Sequence, residues 1–452
     1  MPSVAYEKTI LFVVILVSFI NPFTSSALTT ALPAIGTTYG ASEAALSWVI
    51  EAFLLVSVVT IMPLGKLADR FGKRHVFLSG VALFFLSSLS VCLVSSLTGL
   101  LIVRVFQGLA SACIFATNMA IVSLVTPREK RGTAMGLTIA AVYSGLTFGP
   151  VLGGFFSYYL GWHSIFYFIA LICAIDLAIG LRCMKDEWKV PVKKLDLRDC
   201  LTYAVSMVAI VFSLSEITAI SLAKIWLAGG LLIMAAFLYS EWHKEEPLLP
   251  VRIFASNRVF SCSSLAAMLN YCATFGITFL LSIYLQRVLE MNARDAGLFL
   301  LIQPVLMAFF SPFTGRWSDR INPAYLASSG MLLITVGLAI LTYTVSHTSL
   351  WAIVLSSIII GIGFALFSAP NNNAIMCSVG PKDYSAASSV IGTVRLIGQV
   401  LSTAIVTLLL SQGTDTSVAL LSDHIQDAFL IFTILCAVGI IPSAVRGKSL
   451  TE

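Results

Sequence analysis

Charged residues are scarce in this sequence. Asp, Glu, Lys and Arg together make up 11% of its 452 residues, whereas a soluble domain carries about 25%. Apolar residues make up 58%, and the mean hydropathy is strongly positive. The shortage of charge excludes an ordinary soluble domain and predicts an integral membrane protein in contact with the lipid bilayer. No nucleic-acid partner is predicted.

Paired cysteines and a phosphate-binding loop are missing as well. The nine cysteines are scattered singly, mostly inside apolar runs, as Cys92, Cys113 and Cys272 are. Neither a disulfide framework nor a zinc site is therefore expected, and no metal or cofactor is predicted. Residues 447–449 read Gly-Lys-Ser, but Pro442 stands where a phosphate loop needs its first glycine. Any energy must come from an ion gradient or from the substrate's own gradient.

Long apolar runs are abundant. About fourteen of them are long enough for a membrane span of about 20 residues. The first continues from Ile10 to Ala34 without a clear small-residue cleavage site, so we predict a retained span and not a signal peptide. The runs start near Ile10, Ala45, Val76, Leu97, Thr133, Trp162, Leu201, Leu222, Val259, Ala296, Tyr325, Leu350, Ala386 and Ala428.

The placement of Lys and Arg alternates from loop to loop. Of the 27 basic residues, only Lys224, Arg287 and Arg294 fall on one set of loops, and Arg104 and Arg395 fall within runs. The other set holds all the rest, so the positive-inside rule assigns it to the cytoplasm. The pattern predicts a multi-pass protein of the plasma or inner membrane with both termini in the cytoplasm.

One short charged loop occurs twice between apolar runs. Residues 65–74 contain Gly-x-x-x-Asp-Arg, and residues 315–320 repeat that spacing 250 positions later. Spans one to six therefore match spans nine to fourteen, and parallel repeats of this kind are typical of secondary transporters. The predicted domains are a six-helix bundle over 1–184, a linker with two extra spans over 185–255, and a second six-helix bundle over 256–452.

Three motifs carry a resemblance to a known family. Residues 65–74 read Gly-x-x-x-Asp-Arg-x-Gly followed by two basic residues, between spans two and three. Residues 101–108 place Arg104 in span four, and residues 145–154 read Gly-Leu-Thr-Phe-Gly-Pro-Val-Leu-Gly-Gly in span five. With all three in order on the predicted spans, the sequence resembles the major facilitator superfamily, and within it the fourteen-span drug:proton antiporters.

The resemblance implies an all-α fold of two six-helix bundles plus two additional transmembrane helices. It implies a monomeric secondary transporter, not an enzyme, that exports small lipophilic or cationic compounds in exchange for protons by alternating access. Two alternatives stay open. One is proton-coupled uptake or exchange of a metabolite, and the other is a membrane sensor or scaffold that kept the fold without transport.

We call the loops 65–74 and 315–320 the latch loops, because the resemblance implies that they lock the two halves in one access state. Asp69 is expected to lie at a helix N-terminus, where the helix dipole favours negative charge. Arg70 is expected to pair with Asp69 or with a neighbouring acid, whereas Lys73 and Arg74 are interpreted as solvated residues that fix topology. The predicted gating residues are Gly65, Asp69, Arg70, Gly72, Gly315, Asp319 and Arg320.

The third motif places small residues along one face of span five. Glycines four apart allow a second helix to approach closely, and a proline bends the helix. This combination suits a pivot between moving bundles, and it equally suits static packing. The residues in question are Gly145, Gly149, Pro150, Gly153 and Gly154.

Two opposite charges are predicted to lie at the same depth in the membrane. Glu51 in span two and Arg104 in span four each lie about 10 Å below the outer end of their span. A paired Glu51 that takes up a proton when Arg104 moves away would couple protons to transport, although a permanent ion pair fits the spacing too. Relatives carry an aspartate in span one where this chain has Thr24.

Other polar residues inside the spans have more than one interpretation. Arg395, in the middle of span thirteen, is a candidate for binding an anionic substrate or for neutralising a helix end. Asp176 is expected to extend toward the cytoplasmic surface, and Glu216 to lie at the outer interface. The asparagines 371–373 either line a cavity or tie helices together.

Overall fold

The structure is a computed structural model that describes residues 4–190, 196–216, 222–245, 247–410 and 418–447. Within these ranges the secondary structure is helical, with no strand. Ile217 at the predicted end of span seven, Lys193 and Lys194 of the linker, and Lys448 lie outside the described residues. Fourteen helical segments are long and apolar enough to cross a membrane, in agreement with the predicted number.

The first half of the chain forms six long helices, and two more follow. They are α1 (Val4–Tyr39), α2 (Glu43–Phe71), α3 (Lys73–Leu89), α4 (Leu97–Val125), α5 (Arg131–Tyr159), α6 (His163–Cys183), α7 (Leu197–Ser215) and α8 (Ala223–His243).

The second half begins with a short helix and contains six further spans. The helices are α9 (Val251–Ser256), α10 (Arg258–Thr274), α11 (Ile277–Ile283), α12 (Ala293–Ser318), α13 (Pro323–His347), α14 (Leu350–Cys377), α15 (Tyr384–Leu410) and α16 (Val418–Val445). The ninth span is built from α10, α11 and a π-helical turn at Tyr284–Val288.

Polar side chains fix where several spans begin. The Ser42 hydroxyl accepts a hydrogen bond from the Ala45 amide at the start of α2, and Ser96 does the same for Gly99 at the start of α4. Each cap satisfies one of the amides that the first helical turn leaves without a partner. The helices between the caps are mostly apolar, because only a backbone that satisfies its own hydrogen bonds is stable in lipid.

The two halves meet along two seams. Helix α2 packs against α15 in one seam, and α5 packs against α12 in the other. Gly65 of α2 approaches Ser385 at the start of α15, and Asn373 near the end of α14 donates to the Ser318 hydroxyl at the end of α12. Since only a short turn joins α14 to α15, both latch loops lie at the same end of the bundle, which we call the latch end.

The inserted helix α7 lies beside one of these seams. It packs against both α2 and α15, and the Tyr203 hydroxyl donates to the Val58 carbonyl of α2 at 3.1 Å. The inserted pair therefore contacts both halves of the molecule. The domain boundaries at 184 and 255 stay a prediction, although α6 ends at Cys183 and α9 ends at Ser256.

Candidate functional site: latches and central cavity

Asp319 of the second latch loop caps the N-terminus of α5. Its carboxylate accepts hydrogen bonds from the Gly132 amide at 2.6 Å, the Thr133 amide at 2.9 Å and the Thr133 hydroxyl at 2.6 Å. A carboxylate at this position satisfies two amides that have no partner within the helix and interacts favourably with the helix dipole. Because Asp319 belongs to the second half and α5 to the first, these bonds hold the halves together.

The protonation of Asp319 is balanced between opposing effects. Burial raises the pKa of the Asp319 carboxyl, and the hydrogen bonds from Thr133 and Gly132 offset part of that rise. The carboxylate accepts three donors, so its charged form is the one that the site stabilises through hydrogen bonding.

Glycines allow the backbones of α5 and α12 to approach closely near this cap. A Cβ atom at Gly136 would lie 2.5 Å from the Ser311 carbonyl oxygen, and one at Gly315 would lie 2.7 Å from the Gly136 Cα. Neither position has room for a side chain without moving a helix. The close approach brings Asp319 within hydrogen-bonding distance of the α5 amides.

Asp69 of the first latch loop has a different partner. It forms an ion pair with Lys73 at 2.9 Å, and the Lys73 ammonium also donates to the Trp188 carbonyl at 3.2 Å. The Asp69 carbonyl accepts from the Val190 amide at 2.9 Å. The expected position of Asp69 at a helix N-terminus is therefore not seen, because the carboxylate is held within the first half and its connector.

Lys73 and the two latch arginines also differ from expectation. The Lys73 side chain is only 1% exposed, so it is not a solvated topology signal. Arg70 and Arg320 are exposed and form no ion pair with any described residue, which contradicts the predicted pairing of Arg70. Gly72 has a φ of 104°, a backbone conformation that favours glycine and that lets α2 turn directly into α3.

A cavity of about 40 Å³ lies between the halves. Arg395 of α15 lines it, with the guanidinium carbon 5.7 Å from the ring centre of Phe115 and 5.6 Å from that of Tyr271. Phe115 belongs to the first half and Tyr271 to the second. Among the described residues that line the cavity, none is Asp or Glu. The lining residues are Phe115, Asn118, Met119, Ile139, Val142, Tyr143, Tyr271, Ser368, Asn372, Ser388, Ile391, Gly392 and Arg395.

Hydrogen bonds close this cavity from the latch end. The Ser388 hydroxyl donates to the Phe115 carbonyl at 2.7 Å, and Ser389 donates to the Ile61 carbonyl at 3.3 Å. Each of these bonds joins α15 to a helix of the first half. Gly65 reinforces the seam, because a Cβ atom there would lie 3.3 Å from the Ser389 Cβ.

The predicted pair of Glu51 with Arg104 does not form. Arg104 is fully buried, and it donates to the Val49 carbonyl at 2.6 Å and to Gln107 at 2.8 Å. Glu51 is half-buried and forms no ion pair with a described residue. Neither residue lines the cavity. Depth along a span therefore placed the two charges at one level but did not predict which way each side chain points.

The glycine face of α5 packs against α1 within the first half. A Cβ atom at Gly145 would lie 2.5 Å from the Phe19 carbonyl oxygen, and one at Gly153 would lie 2.7 Å from the Ala27 Cα. Gly149 meets α1 in the same way, and Pro150 lies within α5 beside it. The nearest atoms at these glycines belong to α1, so the face packs within the first half, and its role as a pivot stays a prediction. At Gly154 the nearest atom would be 3.6 Å away, which is ordinary contact.

Asp176 is the polar residue that sequence reasoning misjudged most. Its side chain is 0% exposed, and neither carboxylate oxygen has a hydrogen-bond partner. It does not extend to the surface as expected. Its only sequence signal was an acid inside an apolar run, which marks a functional candidate by default.

The three neighbouring asparagines divide between the two roles proposed for them. Asn371 accepts from Arg446 at 2.8 Å and donates to the Ser263 carbonyl at 3.1 Å. Asn373 donates to the Ser318 hydroxyl at 3.2 Å. These two tie helices together, whereas Asn372 lines the cavity.

The fourteen spans and the central cavity between two halves define a multi-pass membrane transporter. The chain belongs to the Major Facilitator Superfamily, whose family model matches residues 14–403 and 263–446. A relative, the riboflavin transporter RibZ of Clostridioides difficile (strain 630), is 26% identical over 88% of this chain and 87% of its own length. The multidrug resistance protein Stp of Mycobacterium tuberculosis (strain CDC 1551 / Oshkosh) is 28% identical over 83% of this chain and 70% of its own length.

Comparison with solved structures agrees on the fold. The human organic anion transporter MFSD10 (TETRAN) superposes with a TM-score of 0.73 over 98% of this chain and 100% of that chain, at 15% sequence identity. At that identity the likeness shows the fold alone. The family match and the transporter relatives show that the chain is a transporter of the superfamily and not an enzyme.

Proposed function

We propose that this protein exports a small lipophilic compound in exchange for protons by alternating access. The observation that carries the proposal is the central cavity, which is closed at the latch end by contacts between the halves. The Asp319 cap adds charge-assisted hydrogen bonds to the same closure. Breaking these contacts while the far ends of the halves come together would expose the cavity at the latch end.

The orientation rests on the distribution of basic residues. The latch end carries Lys66, Lys73, Arg74 and Arg131, among many others, so the positive-inside rule places it in the cytoplasm. In that orientation the described conformation is closed to the cytoplasm. The proposed setting is a plasma or inner membrane, with both termini in the cytoplasm and a monomer as the working unit.

The proton is proposed to bind a carboxylate within the spans. Glu51 keeps its place as a candidate even though Arg104 is not its partner. Asp176 joins it, because neither oxygen of this buried carboxylate has a hydrogen-bond partner among the described residues, and an acid inside a membrane span is a functional candidate. Loss of proton-driven transport in Glu51→Gln or in Asp176→Asn, with wild-type folding, would identify the carrier.

The direct test is transport by the purified full chain in proteoliposomes. An imposed pH gradient should drive accumulation of a lipophilic probe that has no ionisable group only when protons flow in the opposite direction. Asp319→Asn should slow this transport, and Asp295→Asn, at the exposed opposite end of α12, should not. Transport that ignores the pH gradient would contradict proton coupling.

Metabolite transport is the second candidate, and the similarity to RibZ favours including it. Radiolabelled riboflavin in the same proteoliposomes separates the two. Riboflavin movement in the direction of proton flow would support uptake instead of export. A protein that moves neither compound under any gradient would support the sensor or scaffold alternative.

A further inference from the structure

The central cavity contains one formal charge, and it is positive. Arg395 lines the cavity with serine, asparagine and tyrosine side chains around it, and no described lining residue is acidic. Its guanidinium forms no ion pair with any described residue. A cationic substrate would meet repulsion here, so the lining does not favour the cationic compounds that the family resemblance implied.

An unpaired guanidinium in the middle of a span is unfavourable. Arg395 lies 14 residues from the start of a span of 30 residues (Pro381–Leu410), which places it about 20 Å from either end. Charged side chains at such depth mark substrate or ion pathways when they face a cavity. The rings of Phe115 and Tyr271 stabilise the cation only partly, since both centroids lie near the limit of about 6 Å for cation–π contact.

Resting on the proposed transport function, we propose that the substrate is an aromatic organic anion whose acidic group binds Arg395. A planar carboxylate or sulfonate accepts two parallel hydrogen bonds from a guanidinium, and a cavity of about 40 Å³ has room for such a group. Asn372 lies in the same lining and offers a further donor, whereas the Asn118 amide nitrogen already donates to the Ser18 hydroxyl at 2.7 Å. The aromatic body of the substrate stacks on Phe115 and Tyr271 when the two halves separate and open the cavity.

The same geometry links substrate binding to the closure. Phe115 contributes its ring to Arg395 and its carbonyl to the Ser388 hydroxyl at 2.7 Å. An anion that draws the guanidinium away from the ring acts directly beside a hydrogen bond that closes the cavity. A charged substrate therefore acts on the hydrogen bond between Ser388 and Phe115, which joins α15 to α4.

The test compares three probes that share one ring system. They are 2-naphthoate, 2-naphthamide and 2-naphthylmethylammonium, with charges of −1, 0 and +1. Equilibrium dialysis with the full chain in nanodiscs should show naphthoate binding about tenfold more tightly than the amide, because charge-assisted hydrogen bonds to a guanidinium are stronger than neutral ones. The ammonium probe should bind most weakly.

Variants assign the effect to Arg395. Arg395→Gln should reduce naphthoate binding to the level of the amide and leave amide binding unchanged, which also shows that the variant is folded. Arg395→Lys should keep part of the preference, and Arg395→Glu should reverse it in favour of the ammonium probe. The matched control is Arg287→Gln, at an exposed position outside the cavity, which should change nothing.

The inference and the proposed function fail in different ways. Naphthoate binding no tighter than that of the amide, including no binding at all, overturns the inference. So does an Arg395→Gln variant that loses amide and naphthoate binding equally, since that marks a purely structural arginine. The same probes in proteoliposomes test coupling separately, because selective naphthoate binding without proton-driven movement supports the inference and contradicts proton exchange.

Discussion

The two latch loops share a sequence pattern but contact different partners. Asp319 crosses to the other half and caps α5, whereas Asp69 is held by Lys73 in its own half. One loop therefore closes the seam between the halves, and the other fixes the first half to its connector. The motif positions a carboxylate at the end of a span but does not determine what that carboxylate binds.

Neighbouring residues account for the difference. Four residues after Asp69 comes Lys73, whereas four residues after Asp319 comes Pro323, which supplies no cation. The opposing helix starts differ as well. Helix α5 offers the Thr133 hydroxyl to Asp319, whereas the aligned position in α15 is Ala386, which has no hydroxyl. An acid precedes both helices, Glu129 before α5 and Asp383 before α15. The nearby cation and the missing hydroxyl therefore account for the pairing of Asp69 with Lys73.

Of the variants that test this difference between the latch loops, Asp69→Asn should lower the stability of the protein most. This change leaves the Lys73 ammonium buried without a carboxylate, and breaking a buried ion pair in this way costs about 3–5 kcal/mol. We expect a clear fall in the thermal unfolding midpoint of the purified protein. Adding Lys73→Gln to Asp69→Asn should restore part of the loss, and an unchanged midpoint in the single variant would rule out a stabilising pair.

Asp319→Asn should act on conformation and leave folding nearly unchanged. The amide keeps one acceptor but loses the charge that strengthens its bonds to α5, a loss of about 2 kcal/mol. The equilibrium should shift about 30-fold toward the form that is open at the latch end. Double electron–electron resonance between spin labels attached to cysteines that replace exposed Arg128 and Arg320 would detect the shift. A distribution identical to that of the parent would argue against a latch.

Gly315→Ala should weaken the same seam through sterics. The new methyl group would lie 2.7 Å from the Gly136 Cα, and overpacking of this kind typically costs about 1–3 kcal/mol. Transport rate and the spin-label distance should both change. Gly297→Ala is the matched control on α12, because a Cβ atom there meets nothing within 4 Å. Equal effects of the two variants would show that close approach is unimportant.

The smallest expected effect is the difference in stability between alanine substitutions at two adjacent glycines of α5. Gly153→Ala places a methyl group 2.7 Å from the Ala27 Cα, whereas Gly154→Ala places one 3.6 Å from the nearest atom. The first should destabilise the protein by about 1 kcal/mol. The second should be neutral or slightly stabilising, because alanine favours helix by up to about 1 kcal/mol over glycine. Thermal unfolding of both variants checks this ranking.

Hydropathy and charge placement were sufficient to predict the fourteen spans and the shared end of the latch loops. The number of spans and the side of each loop depend on how apolar each segment is and on where its basic residues lie, and both can be read directly from the sequence. These features needed no knowledge of which residues meet. The sequence pattern did not predict that Asp69 lies inside the last turn of α2.

Partners were harder to predict, because they depend on how each helix is rotated about its axis. Glu51 and Arg104 lie at one depth yet contact different neighbours. Asp176 lies near a helix end yet points into the bundle. The positive character of the cavity likewise required knowing that Arg395, and no acid, faces it. The rotation of each helix about its axis depends on packing against several other helices at once, so it cannot be predicted from the sequence of one segment.

The bond from Tyr203 to the Val58 carbonyl has a mechanical consequence. Helix α7 contacts α2 and α15 simultaneously. In the proposed cycle those two helices separate, so α7 would keep its contacts with only one of them, and the lost contacts would add to the free energy of opening. Weakening those contacts should change the turnover rate without altering what the protein recognises.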